Sequence, residues 1–239
     1  MKQLPLPIVG PATARFETFV PGVNAAVLQQ LQQLDNGPAP IFLWGPPGSG
    51  KTHLLRAITH QRHERGERVG WFDAAARPPW QMESSSTLLL LDGCDAYDDA
   101  QQHTAFALLV EAQSHGVRWV AAARVPPVDL ALREDLRTRL AWGPVFALHA
   151  LPEEQARAVL RRESDRRGIF LSDDVMDYLL TRFARDLTHL MALLDRLDGF
   201  ALAAHRSITV PLLKKMMAEQ GGSWPPESAL HGVHEGRSA

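Results

Sequence analysis

The chain has 239 residues, 45% of them apolar and 22% charged, the ordinary balance of a globular protein with one large or two small cores. Its net charge of −2 supplies no electrostatic basis for autonomous DNA binding, and a single cysteine, Cys94, excludes an internal disulfide. No apolar run has the length of a signal-peptide core or a membrane span, so a cytoplasmic protein without membrane attachment is expected.

Residues 1–14 read as an extended tail. Pro5, Pro7 and Pro11 forbid a helix and favour a polyproline-like strand. Leu4, Leu6 and Ile8 alternate along it, so an extended chain turns all three to one side. They either fold back on the domain or dock in another protein's groove. Phe16, Phe19 and Val20 follow, then Pro21-Gly22. Ala25 to Leu34 has helical spacing with Asn24 as its N-cap, and Asn36-Gly37-Pro38 stops it.

The apolar strand Ile41-Phe42-Leu43-Trp44 leads into Gly45-Pro46-Pro47-Gly48-Ser49-Gly50-Lys51-Thr52, which fits the phosphate-loop pattern in full. A helix follows from His53 to about Glu64, ended by Arg65-Gly66. Strand, glycine loop and helix form the context that the motif requires. Glycines let the backbone curl so that its N–H groups converge on an anion at the positive end of the helix. Lys51 is expected to reach the β- and γ-phosphates of ADP or ATP, and Thr52 to hold Mg²⁺, with His53 beside them.

Val69 to Phe72 reads as a second strand and residues 74–86 as irregular. Leu88-Leu89-Leu90-Leu91-Asp92 is a buried strand ending in an acid. In a parallel sheet that end faces the phosphate loop, so Asp92 is the expected Mg²⁺-side carboxylate. Cys94, just beyond, reads as a small buried residue. Residues 99–115 read as a helix with Phe106, Leu109, Val110 and Gln113 at its spacing. Trp119 to Ala123 is a strand, Leu132 to Leu140 a helix ended by Trp142-Gly143-Pro144, and Val145 to Leu148 a last strand. Strands alternating with helices over residues 15–150 predict a three-layer α/β domain with a parallel sheet.

From Leu151 strand runs disappear. Pro152 is expected in the first turn of a helix to about Arg167, with Ala156, Val159 and Leu160 inward. Ser172 caps a second helix, Asp186 begins a third, and Thr209 and Pro211 begin a fourth. Residues 151–219 are thus a four-helix domain, and the polar residues 220–239 read as disordered. Arg157, Arg161, Arg162, Arg166 and Arg167 read as a solvated face or a partner surface.

A phosphate-loop α/β domain followed by a four-helix lid resembles the AAA+ ATPase family. Pro126-Pro127 and the stretch Arg137-Thr138-Arg139-Leu140-Ala141-Trp142-Gly143 resemble the "RPP" and "SRxxWG" stretches of its DnaA branch, over about residues 15–218. The helix-turn-helix domain of that branch is expected to be missing here. A short module of this kind with Gln3-Leu4-Pro5-Leu6-Pro7-Ile8 in front resembles the regulatory inactivators of DnaA. The resemblance implies that Gln3, Leu4, Leu6 and Ile8 bind the sliding clamp, the beta subunit of DNA polymerase III. It also implies that Arg139 serves as an arginine finger in trans towards DnaA, with DNA met only through the clamp and self-association left open.

This sequence departs from the AAA+ pattern where hydrolysis is concerned. Gly93 follows Asp92 where a second acid is usual, with Asp95 the nearest substitute. The polar sensor position falls in Ala121-Ala122-Ala123, and the lid sensor arginine aligns with Thr188, one turn after Arg185. Each such loss costs on the order of 100-fold in rate. Slow intrinsic turnover is therefore expected, with a regulatory role on DnaA-bound ATP. The alternative is a helicase-loader-like ATPase driven by its own turnover.

Overall fold

A parallel sheet buried on both faces needs side chains that suit two cores at once, and the strands here supply them by alternation. In the computed structural model, which describes residues 14–35, 40–183, 190, 191, 193, 194, 197 and 208–219, the strands are β1 (Ile41–Trp44), β2 (Arg68–Asp73), β3 (Ser86–Asp92), β4 (Arg118–Ala123) and β5 (Val145–Ala147). They form one sheet in the order β2-β3-β4-β1-β5, every pairing parallel. Ile41, Leu43, Leu88, Leu90, Val120 and Ala122 face one core, which takes Val27 and Leu31 of α1 (Ala25–Gln32) and Leu54, Leu55 and Ile58 of α2 (Lys51–Glu64). Phe42, Leu89, Leu91, Trp119, Ala121 and Ala123 face the other. That core takes Ala105, Leu108 and Leu109 of α3 (Asp99–Ser114) with Leu136 and Leu140 of α4 (Glu134–Leu140). Period-two alternation in strands that are apolar throughout gives the three layers.

The described residues fall into two compact units, the first running to Gln155 and the second beginning at Ala156. The second contains most of α5 (Glu153–Arg166), then α6 (Asp173–Phe183) and α7 (Val210–Glu219). Its core collects Ala156, Leu160, Val175, Met176, Leu179 and Leu180 with Leu190, Leu193, Leu194, Leu197, Leu212 and Leu213. Pro152 lies just ahead of α5 rather than inside its first turn. Of the five arginines expected to form a solvated or partner face, four form ion pairs within the unit: Arg157 with Asp177, Arg161 with Asp173 at 2.6 Å, and Arg166 and Arg167 with Glu163. The start expected for the third lid helix at Asp186 lies outside the described residues.

Two expectations are corrected. Asn24 stands at the start of α1 but makes no capping bond. Its buried amide clasps His149 instead: Nδ2 donates to the His149 carbonyl and Oδ1 accepts from the His149 N–H, both at 2.9 Å. Of the residues at helical spacing on α3, Leu109 is buried and Phe106 is half-buried against the core, but Val110 and Gln113 do not lie on the buried face. Gln101, Gln102, Ala105, Leu108, Leu109 and Ala112 are buried, while Val110 and Gln113 are exposed. The two glutamines can be buried because they are bonded. Gln101 closes a reciprocal cap with Asp98 and donates to the Ala74 and Ala76 carbonyls; Gln102 donates to the Tyr97 carbonyl and accepts from Arg133 N.

Candidate nucleotide-binding site

In a parallel sheet all strands end on the same edge, so the ends of β1, β3 and β4 bring the phosphate loop, Asp92 and Ala123 to one side. The loop leaves β1 at Gly45, whose N–H donates to the Ala123 carbonyl at 3.3 Å. A Cβ there would stand 2.1 Å from the Leu148 carbonyl oxygen, so only glycine fits. Pro46 and Pro47 carry the chain out, and Ser49 N returns to the Pro46 carbonyl at 3.2 Å. Gly50, at φ +94°, turns directly into α2.

Lys51 curls back over this loop. Its Nζ donates to the Gly45 and Pro46 carbonyls at 2.7 and 2.9 Å and to Ser49 Oγ at 3.2 Å. A cation at the mouth of a backbone curl, at a helix N-terminus, suits a phosphate chain. Thr52 Oγ1 donates to Asp92 Oδ2 at 2.7 Å, which joins the first turn of α2 to the end of β3. Burial raises the pKa of Asp92, while the Thr52 hydrogen bond and the Lys51 and Arg56 charges oppose that rise. Among the described residues no group of three or more His, Cys, Asp or Glu could hold a metal. A Mg²⁺ ion would thus rest on Thr52, Asp92 and the phosphates, the usual arrangement for that ion. The residues fit a nucleotide with its metal.

A second wall comes from the chain ahead of α1. Phe19 lies so close to the loop that a Cβ on Gly50 would stand 2.6 Å from its ring. Its ring centroid is 5.8 Å from that of His53. His53 Nε2 donates to the Arg15 carbonyl at 3.0 Å. Burial lowers the pKa of His53, the Arg15 bond opposes this and nearby Arg56 adds to it, which keeps the ring neutral at pH 7. The sequence marked Phe19 as apolar but assigned it no role; no motif signalled its approach to the loop.

The hydrolytic side is occupied differently. Gly93 has φ +66° with open space around it, a backbone that L side chains rarely adopt. The carboxylate of Asp95 is engaged by Arg124: Oδ1 accepts from Arg124 N at 2.9 Å and Oδ2 from Nε at 2.5 Å. Ala121, Ala122 and Ala123 are wholly buried and end in methyl groups. Cys94 is also buried, with its thiol pushed up to about 12 by burial, which makes it inert.

Arg139 lies on α4, in the layer that covers the opposite face of the sheet from α2. Its guanidinium carbon is 4.4 Å from the Trp142 ring centroid and 5.3 Å from that of Phe106, and Nη1 donates to Gln113 Oε1 at 2.5 Å. Phe106, half-buried against the core, thus also meets Arg139, and Gln113 meets it from the exposed side of the same helix. The candidate tail residues Gln3, Leu4, Leu6 and Ile8, and the sensor candidates Arg185 and Thr188, lie outside the described residues.

Residues 153–217 match the family model for the Hda lid domain, and residues 12–76 match the model for the bacterial DnaA ATPase domain. The chain belongs to the Hda-like, DnaA-related branch of the AAA+ proteins. An uncharacterised Haemophilus influenzae protein is 32% identical over 228 residues, which span 90% of this chain and 98% of that one. Domain III of the Thermotoga maritima replication initiation protein DnaA superposes with a TM-score of 0.70 at 19% identity, covering 87% of this chain and 97% of that domain. AMPPCP-bound DnaA from Aquifex aeolicus gives a TM-score of 0.60 at 19% identity, over 81% of this chain and 69% of that one. The RuvB branch migration motor of Thermotoga maritima gives 0.57 at 15% identity, over 83% and 68%. These three likenesses establish the AAA+ fold. Among the described residues of this branch member no helix is long and apolar enough to cross a membrane.

Proposed function

We propose that this chain is a regulator of replication initiation that binds ADP or ATP with Mg²⁺, docks on the sliding clamp through Gln3, Leu4, Leu6 and Ile8, and stimulates hydrolysis of DnaA-bound ATP through Arg139. The observation that carries the reading is the contrast within one site. The holding side is complete: Lys51 at the loop and Thr52 bonded to Asp92 at 2.7 Å. The hydrolytic side has Gly93 where an acid would orient water, and an Asp95 whose oxygens are taken by Arg124.

In this reading Lys51 and the loop N–H groups bind the phosphates, and Thr52 and Asp92 hold the metal. Mg²⁺ supplies charge neutralisation across the phosphate oxygens. Among the described residues Gly93 has no side chain to order the attacking water and Asp95 is engaged by Arg124, so in this reading the bound nucleotide persists and keeps the module in one state. Arg139 carries a permanent charge on a planar fork, which suits a partner's developing phosphate charge; such fingers are worth roughly 10³–10⁵ in rate. A module driven by its own turnover is disfavoured by the Asp95–Arg124 pair.

The test is conversion of DnaA-bound ATP to ADP on clamp-loaded DNA, beside the intrinsic turnover of the purified chain. Expected are ADP bound to the purified protein, negligible intrinsic turnover, and stimulation that requires the clamp. Loss of nucleotide binding in Lys51→Ala is the control. Intrinsic turnover of several per second, within the ordinary enzyme range, would overturn the regulatory reading.

A further inference from the structure

A guanidinium has five N–H donors, and where they go in Arg139 is informative. Nη1 gives one to Gln113 Oε1 at 2.5 Å. The Nε–H is buried with no hydrogen-bond partner among the described residues, and Nη2 makes no hydrogen bond there. Orphaned buried donors are rare, so Arg139 is held here against a cost. What holds it is the 4.4 Å approach to the Trp142 ring, the 5.3 Å approach to the Phe106 ring, and the amide of Gln113.

The guanidinium borders an open groove of about 720 Å³. The other arginine of that groove, Arg133, is neutralised by Asp135 at 2.7 Å. Arg139 has no carboxylate partner among the described residues. Its uncommitted charge therefore sits at the groove with the Nη2 edge available.

We infer that Gln113 and Trp142 are positioning residues for Arg139, fixing its guanidinium before a partner's phosphate arrives. The inference rests on the reading of Arg139 as the finger and extends it to the residues that aim it. A free arginine spreads over many rotamers and loses that freedom when it meets a phosphate. One already stacked and bonded has lost it in folding, so more of the contact energy reaches the transition state. The acceptor matters as well as the ring, because stacking fixes a plane while Gln113 fixes rotation within it.

The experiment measures conversion of DnaA-bound ATP to ADP on clamp-loaded DNA against concentration of the full chain, and separates the maximal rate from the half-saturating concentration. Gln113→Met keeps length and helix propensity but removes the acceptor. Trp142→Ala removes the ring, and Trp142→Phe keeps an aromatic face. The expected result is a maximal rate about tenfold lower for Gln113→Met, the worth of one charge-assisted hydrogen bond, with the half-saturating concentration unchanged. Trp142→Ala falls at least as far, and Trp142→Phe recovers most of the loss at an unaltered melting temperature. Two results overturn the inference: an unchanged maximal rate in Gln113→Met, or an effect confined to half-saturation, which marks a docking contact. Arg139→Ala run alongside separates the failures. If it loses stimulation while Gln113→Met keeps it, only the positioning role falls; if it retains stimulation, the finger reading falls and takes this inference with it.

Discussion

Asp92→Asn is predicted to move the protein in opposite directions with and without nucleotide. Burial raises the pKa of Asp92, so its folded carboxyl holds a proton more firmly than the unfolded chain does. A raised carboxyl contributes stability at low pH that is lost as pH rises through the folded value. At pH 7 the ionised, buried carboxylate is thus a burden on the empty protein. Asparagine removes the charge and still offers an oxygen to the Thr52 hydroxyl, which donates to Asp92 at 2.7 Å. Without nucleotide the variant is expected to melt at the same temperature as wild type or higher at pH 7, with the gap closing as pH falls through the raised folded value and Asp92 takes up its proton. With Mg·ADP the order reverses. At a ligand concentration of 100 Kd wild type gains about 2.7 kcal/mol; binding weakened about 100-fold leaves the variant about 0.4 kcal/mol. For a chain of this size that is a rise of about 5–10 °C against about 1–2 °C. Thermal unfolding at pH 7 and pH 4, with and without Mg·ADP, reads all four quantities. A variant that is less stable when empty at pH 7 and gains as much from Mg·ADP as wild type would refute the assignment of Asp92.

Gly143→Ala places a Cβ 1.7 Å from the Pro40 carbonyl oxygen, so it should cost about 1–3 kcal/mol or more by overpacking; an unchanged melting temperature contradicts that packing. Gly93→Glu restores an acid but forces it into a left-handed backbone at a cost of about 1–2 kcal/mol. Its intrinsic turnover should stay below the ordinary range of about 1 per second upwards, and turnover within that range would show that the missing acid alone limits hydrolysis. Replacing Gln3 and Leu4 together by Ala should abolish clamp binding, measured on immobilised clamp, with the melting temperature unchanged. A sharp fall in melting temperature would mean that the tail packs on its own domain.

The sheet could be read from the sequence because strands buried on both faces are apolar throughout, as in Leu88 to Leu91, and because glycine punctuates the chain at Gly45, Gly50 and Gly66. The phosphate loop was legible for a related reason: its glycines are dictated by backbone contacts such as that between Gly45 and Leu148. What periodicity missed depends on satisfied polar groups. Gln101 and Gln102 are buried on α3 because four carbonyl and amide partners meet them, and apolar spacing cannot register those partners. Asn24 has the right residue type and position for a cap, yet a tertiary partner, His149, takes its amide. The approach of Phe19 to Gly50 and the Asp95–Arg124 pair join segments 31 and 29 residues apart, and nothing local encodes either. Gly93 was read as a lost acid; its left-handed backbone adds that the position itself disfavours one.

The central claim is that Arg139 acts on a partner's nucleotide while its own module holds one. The most direct measurement compares wild type and Arg139→Ala at equal clamp occupancy, following DnaA-bound ATP as it becomes ADP over time. The account predicts that Arg139→Ala still binds ADP and the clamp but loses stimulation by roughly 10³-fold or more. Stimulation equal to wild type would contradict it and leave Arg139 as a surface arginine stacked on Trp142.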